Sequence, residues 1–537
     1  METHTNASHR WMVLGIVMVG TFMAVLDSSI VNVALPRMMS TFGVKRDQIE
    51  WVTTGFMLAS AVTMPLVGWL VQRIGSKILF LSALTVFTLG SAACALAWSY
   101  DTLIVARIVQ AIGSGAMMPV GMAIVASLFG PHERGKAMGI WATGIMVGPA
   151  VGPTLGGYLT DWFSWRTIFS VNLPFGVMAL VAGLIIMEGN KDQKSDSVAF
   201  DWFGYIFISI ALIGSLLALS QGQDKGWDTA YIRICIASGI VGWVMFIAVE
   251  SDSDHPLLDL SLFKYRNYWL SMVLSVFRSI GLFGAIFLLP IFLQSLAGYT
   301  TVQAGLLMMP SAVAMGIMMP IIGRITDRVQ DIRWMVAIGS VIIGVSLFMY
   351  ADLDPLSSIA MILGPSLFRS VGLALMMTPL MTAGINAIPP DKIPMGSSFL
   401  NVSFQVGGAF GITLLNNYVT NSIHRHTAYI AAVAGTQSMV FQHMTGHTSD
   451  ILAKVSQGAA SPVSTISQLM SMVLRHVHNV PAIEQGSSLL MSMQMIARRA
   501  TVRGFEDGFV LGGVIVLLCL PLCLMLKPDT SKAKMGA

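Results

Sequence analysis

The sequence predicts an all-α integral membrane protein with fourteen transmembrane helices. Three observations carry that expectation. Apolar stretches long enough to cross a bilayer, which takes about 20 residues in a helix, account for most of the 537-residue chain. Hydrophobic residues make up 55% of it and charged residues only 11%, about half the charged share of soluble domains. Finally, the basic residues sort to one side of the predicted spans.

The first span runs from Trp11 to Leu35. The others follow at 50–71, 77–98, 102–124, 136–158, 167–187, 202–221, 230–250, 267–293, 302–323, 333–351, 356–385, 394–417 and 503–526. With the N-terminus placed in the cytoplasm, the loops after even-numbered spans and the two termini hold sixteen lysines and arginines, and the opposite loops hold six. Positive charge is retained inside, so both termini are expected in the cytoplasm. An odd span count would invert the later loops and spoil this bias.

Composition excludes several functions. A net charge of +4 with dispersed basic residues does not make a nucleic-acid surface. Cys94, Cys235, Cys519 and Cys523 all lie in apolar segments and suggest neither a disulfide framework nor a zinc site. The first apolar run is too long for a signal peptide and contains Asp27. Gly130 to Lys136 fits a phosphate-loop pattern, but Ala137 replaces the required Ser or Thr and no β-strand precedes it.

One predicted connection, residues 418–502, far exceeds the usual helix–helix link. Val463, Ile466, Met470, Val473 and Val477 give it helical apolar spacing. It carries His424, His426, His443, His447, His476 and His478. The pair His443 and His447 has metal-binding spacing, but no carboxylate or cysteine completes a site, so solvated helix surface is the expectation and no metal is assigned.

A repeat divides the chain. Gly68-Trp69-Leu70-Val71-Gln72-Arg73, followed by Gly75, and Gly323-Arg324-Ile325-Thr326-Asp327-Arg328 share the pattern G-x-[LI]-x-[DQ]-R. Parallel repeats of six-helix halves are one transporter architecture. The expected organisation is therefore an N-terminal half (1–188), two extra central spans with linkers (189–266) and a C-terminal half (267–537) that includes the long loop.

With these residues in place, the chain resembles the major facilitator superfamily, in particular its 14-span drug:proton antiporters of the EmrB/QacA type. Leu26-Asp27-Ser28-Ser29-Ile30-Val31-Asn32 is similar to that group's first-span motif, and Arg107-Ile108-Val109-Gln110 opens a run similar to its span-4 motif, with Ala111 in place of a glycine. Gly144, Gly148, Pro149, Gly152, Pro153, Gly156 and Gly157 follow the span-5 antiporter signature. Trp165-Arg166 and Asn172-Leu173-Pro174-Phe175-Gly176 resemble the opening of span 6, and the long segment before the last span is similar to that of the EmrB branch.

The resemblance implies a 6 + 2 + 6 major facilitator fold and export of hydrophobic drugs or metabolites from the bacterial cytoplasmic (inner) membrane. A proton gradient is the energy source, with no cofactor. Gly68, Arg73, Gly75, Gly323, Asp327 and Arg328 would form the cytoplasmic gate, where the family's acidic residue latches the closed side. Gln72 replaces that residue in the first copy and weakens its latch. A periplasmic membrane-fusion adaptor and an outer-membrane channel are implied as partners, with the long loop either docking the adaptor or acting as a lid.

Ionisable groups within spans are functional candidates because hydrocarbon penalises them. Asp27 is the expected coupling carboxylate, and the family places Arg107 near it; Arg107 otherwise snorkels to the interface. Arg278 and Arg369 are the other intramembrane cations. With Asn32, Gln294, Asn401 and Gln405 they are candidates to line a substrate cavity, or else to bond between helices. The rival readings are an importer or exporter of one defined solute and a membrane-embedded enzyme. The second is disfavoured, since the spans hold no mid-membrane histidine cluster.

Overall fold

Helix is the conformation that satisfies every backbone polar group inside hydrocarbon, and the computed structural model is helical accordingly. It describes residues 7–188, 199–253, 256–437 and 480–528. The first part holds α1 (Ala7–Phe42), the one-turn α2 (Arg46–Ile49), α3 (Trp51–Thr63), α4 (Leu66–Ile74), α5 (Ser76–Ala95), α6 (Tyr100–Leu128), α7 (Arg134–Trp162), the short α8 (Thr167–Ser170) and α9 (Asn172–Ile186). Then come α10 (Trp202–Lys225) and α11 (Ala230–Asp252). The last part holds α12 (Arg266–Ser295), α13 (Thr301–Arg328), α14 (Arg333–Tyr350), α15 (Ile359–Asn386), α16 (Ile393–Gln437), α17 (Val480–Leu517) and α18 (Leu520–Leu524).

Local chemistry sets the ends. Ser99 caps α6 by accepting the Thr102 N–H at 3.2 Å, and Thr102 Oγ1 takes the Ser99 N–H in return. Thr300 and Gln303 do the same at α13. Gly75 closes α4 with φ +83°, a conformation that costs glycine nothing. Pro65 cannot donate to the preceding turn, and the chain bends by 55° between α3 and α4.

Among the described residues twelve helices are long and apolar enough to cross a membrane, and the bent α3–α4 pair makes a thirteenth candidate. The hydropathy of α7 is diluted by seven glycines and two prolines in its 29 residues. Large apolar side chains such as Leu89, Ile185 and Ile240 are more than half exposed, as a lipid-facing surface requires.

The central pair α10 and α11 pack through small residues: a Cβ on Gly214 would lie 2.6 Å from the Gly239 nitrogen, and one on Gly242 2.5 Å from that of Ala211. The pair is tied to the C-terminal part where Thr413 donates to the Leu219 carbonyl at 2.8 Å.

The expected loop at 418–502 is shorter than the sequence suggests. Helix α16 runs for 45 residues, about 68 Å at 1.5 Å per residue, and α17 runs for 38. Both outrun a hydrocarbon layer of about 30 Å. Polar residues in these extensions broke the apolar run without breaking the helix. The two are joined by Asp507, which accepts from Ser422 and meets His426 Nε2 at 2.9 Å. His443, His447, His476, His478 and the apolar series from Val463 to Val477 lie outside the described residues.

Candidate functional site: a buried ion pair beside a central cavity

Asp27 sits on α1 with no exposed surface. Arg107, one turn or two into α6 and 1% exposed, donates to its Oδ2 from Nη1. Gln110 Nε2 and Asn172 Nδ2 donate to Oδ1 at 2.9 and 3.0 Å. Arg107 also donates to Gln110 Oε1 at 2.8 Å and, from Nε, to the Val52 carbonyl at 3.2 Å. Its guanidinium lies 4.0 Å from the centre of the Phe56 ring. Ser91 links Asn172 to the Phe169 carbonyl, and Cys94 donates to Gln110. A buried pair of this kind persists only when hydrogen bonds meet its remaining donors and acceptors, and this network supplies them.

Arg107 therefore does not snorkel. Its side chain turns inward because a carboxylate, an amide and a carbonyl await it there. The same network holds residues that the sequence reading passed over as site residues: Gln110, Asn172, Ser91 and Cys94. Gln110 had a signal, since it lies three residues after Arg107 and shares its helix face. Ser91 had none, because a lone Ser in a span usually bonds its own helix.

The pair borders a cavity of about 370 Å³, within the range of small-molecule sites. Arg107, Asn32 and Met57 line it from the N-terminal part; Phe283, Asn401, Phe404 and Gln405 line it from the C-terminal part. Asn32 is exposed to this space and, among the described residues, bonds only within its own helix, at Ser28. Asn401 donates to the Ser397 carbonyl at 2.8 Å, and Gln405 reaches across to that of Met57 at 3.4 Å. Gln294 does not join them. It is exposed at the end of α12, more than two turns beyond the α12 residues that face the cavity. Arg278 lines a smaller recess with Asn401 and Phe404. Arg369 is 3% exposed on α15 and is not among the residues lining either space.

The antiporter-like glycines lie on one face of α7, because a spacing of four repeats nearly every turn. That face meets α1 of the same half. A Cβ at Gly144 would strike Met18, one at Gly148 would sit 3.1 Å from the Leu26 nitrogen, and those at Gly152 and Gly156 would strike Ser29 and Ile30. Only Gly157 of the set faces α13, at Val302. The contact with the other half is made by neighbouring positions of α7: Cβ atoms at Gly135 and Gly139 would meet the Gly323 and Met319 carbonyls at 2.6 and 2.4 Å, and a Cβ at Gly305 of α13 would meet Thr154 Oγ1 at 2.5 Å. Pro149 lines the cavity, and α7 continues through Pro149 and Pro153 without a break.

The repeated motif lies at one end of the cavity, where the halves touch. Asp327 accepts the N–H groups of Gly135 and Lys136 at 2.7 and 2.8 Å, a carboxylate on the positive end of α7. In the first copy, Gly68 packs against the Met395 backbone at the start of α16. Gln72 makes no hydrogen bond to that helix among the described residues. Arg73 and Arg328 are exposed, Arg73 lying over Trp69 at 5.1 Å. Ser397 donates to the Pro119 carbonyl at 2.9 Å and adds a further tie. Next to it Lys392 pairs with Asp259. Burial raises the Asp259 carboxyl, but the bonds from Lys392 and Ser261 outweigh it and hold the group below its ordinary range.

Comparison with known proteins agrees with this architecture. The Major Facilitator Superfamily pattern matches residues 17–412. The chain is 34% identical to the uncharacterized MFS-type transporter YhcA of Bacillus subtilis (strain 168), over 82% of each chain. It is 32% identical to the multidrug export protein EmrB of Escherichia coli (strain K12), over 76% of this chain and 80% of that one. A multidrug resistance protein B homolog of Mycobacterium tuberculosis (strain H37Rv) matches at 32% over 78% and 77%. Among solved structures, that of the human organic anion transporter MFSD10 (TETRAN) is similar with a TM-score of 0.53 over 76% of this chain and 93% of that one; at 16% identity it shares the fold alone. The chain belongs to the major facilitator superfamily. It is a multi-pass membrane transporter of the EmrB type and not a member of an enzyme family.

Proposed function

We propose that this protein is a proton-coupled antiporter that exports hydrophobic drugs or metabolites across the bacterial cytoplasmic membrane by alternating access. The observation that carries the reading is the buried Asp27–Arg107 pair on the wall of a two-sided, mostly apolar cavity. Asp27 has no exposure and is screened from the cavity by Arg107, so the pair must part before a proton reaches the carboxylate. Protonation then leaves Arg107 without its counter-charge and favours a different arrangement of α1 and α6. Such a group couples proton binding to conformation because its two protonation states prefer different packings.

The twelve spans, the bent α3–α4 pair and α7 together support fourteen crossings arranged six, two and six, with both termini in the cytoplasm. On that orientation the motif-bearing end is cytoplasmic, and Asp327 and Ser397 hold it closed while the cavity faces outward. The name of EmrB supports multidrug export. The long helices α16 and α17 support a projecting platform on the outer side, a docking surface for a membrane-fusion adaptor that passes substrate to an outer-membrane channel.

The test is flux in proteoliposomes. With an imposed proton gradient, the purified chain should move hydrophobic compounds against their own gradient and carry protons the other way. A panel of acidic, neutral and cationic compounds sets the substrate range. Flux that is indifferent to the proton gradient, or that runs with the protons, defeats the antiport reading.

A further inference from the structure

Arg278, on α12, is a second buried cation, and nothing in the Asp27 network uses it. It is 3% exposed, and its Nε and Nη1 have no hydrogen-bond partner among the described residues. It lies against the Phe404 ring, with its centre 4.9 Å from the guanidinium carbon, and lines a void of about 20 Å³ together with Ser275, Met377 and Asn401. That void shares Met118, Ile145, Asn401 and Phe404 with the central cavity. The recess that holds the guanidinium is thus adjacent to the substrate space.

A charge removed from water needs a counter-charge or a full set of hydrogen bonds. The aromatic face supplies part of that need. Asp27 cannot supply the rest, because its oxygens are taken by Arg107, Gln110 and Asn172. The void has room for about one water, which is too little to hydrate a guanidinium. Its donors form a planar fork that matches a carboxylate. Arg369 has two unpartnered nitrogens as well, but it lines neither space.

We propose that Arg278 is the anion subsite of the cavity. It takes the carboxylate of an amphipathic organic acid whose apolar body lies among Met57, Met118 and Phe283, and the Phe404 ring swings aside to admit the head group. The proposal rests on the export reading and deepens it by naming the substrate class: hydrophobic monoanions bind in preference to neutral compounds of the same shape.

The test uses the full chain in detergent without any gradient, with dansylglycine as probe and its primary amide as the uncharged twin, read by dansyl fluorescence. Wild type should bind the acid at least about 10-fold more tightly than the amide, the scale of a hydrogen bond to a charged group. Arg278→Met should weaken the acid about 10- to 100-fold and leave the amide within about twofold. If that variant does not fold, Arg278→Lys keeps the charge but loses the fork, and it should weaken the acid by a smaller factor with the amide unchanged. Equal losses for both ligands, no loss for either, or a wild type without preference for the acid each overturn the proposal. Displacement of dansylglycine by millimolar chloride alone would mark the recess as a halide site and also overturn it. Because no gradient is involved, proteoliposomes that move neither compound count against the export reading and leave the binding result standing. Conversely, an unselective Arg278 with intact export of the amide counts against the subsite alone.

Discussion

Asp27→Asn isolates the charge of the buried pair from its shape. The two donors on Oδ1, from Gln110 and Asn172, dictate how the new amide sits. Turned one way, its oxygen keeps both bonds and its NH2 group faces the Arg107 donor. Turned the other way, the oxygen takes Arg107 and the NH2 group confronts two amide donors. The first orientation loses one contact and the second loses two, so the first wins. Arg107 is then left with Gln110 Oε1, the Val52 carbonyl and the Phe56 ring, but with no counter-charge. Removing one partner of a buried pair costs about 3–5 kcal/mol, chiefly because the other charge stays buried and unpaired. The double variant Asp27→Asn/Arg107→Gln removes that stranded charge and should recover most of the loss, a coupling that a double-mutant cycle measures directly. Thermal unfolding in detergent reads the stability, and proteoliposome flux under an imposed proton gradient reads the coupling. Both variants should insert and bind substrate yet fail to move it uphill. Uphill export by Asp27→Asn at the wild-type rate refutes the coupling role. A double variant less stable than the single one refutes the account of the stranded charge.

Further outcomes are expected at the contacts between the halves, at the Asp259 tie and at the long connection. Gly139→Leu, placed where even a Cβ would meet the Met319 carbonyl at 2.4 Å, should hold α7 away from α13 and shift the transporter off the arrangement seen here, measured as a longer distance between spin labels on the two helices. Asp327→Asn should cost about 0.5–2 kcal/mol at the α7 terminus and loosen the same end, whereas Gln72→Asp should tighten the opposite contact at α16; labels across each contact separate the two effects. The Asp259–Lys392 tie contributes stability above the ordinary carboxylate range, about pH 3.9, and loses it as pH falls through the depressed value of Asp259. Stability measured in Asp259→Asn should therefore differ from wild type at pH 7 and converge with it in strong acid. Shortening 418–502, which carries the projecting ends of α16 and α17, to a minimal link should leave proteoliposome transport intact and abolish resistance in whole cells; loss of transport in both settings favours a lid over a docking platform.

The membrane-spanning class and the repeat were legible in the sequence because both are local. Bilayer thickness demands runs of apolar residues, and a stretch such as 77–98 meets that demand whatever surrounds it, which is why α5 lies where the sequence placed it. Asp27 and Arg107 could also be singled out one at a time, since a charge in hydrocarbon is conspicuous alone. Tertiary structure decided what each of them touches. Asn172 and Ser91 are unremarkable in their own helices, and only the packing of α1, α5, α6 and α9 gathers them with Gln110 around one carboxylate. The glycines of α7 show the same limit. Their spacing announces a face that another helix approaches closely, but the partner, α1 for Gly148 and α13 for Gly139, depends on how the helices of both halves share the space. The ends of α16 and α17 escaped the sequence for a different reason: apolar patterning marks where the bilayer stops, and a helix outside the bilayer continues for as long as its own hydrogen bonds and a neighbouring helix support it. Arg278 and Arg369 look alike as lone arginines in apolar spans, and only the recess behind Phe404 sets one of them beside the substrate space, because a cavity belongs to the assembled helices and to none of them singly.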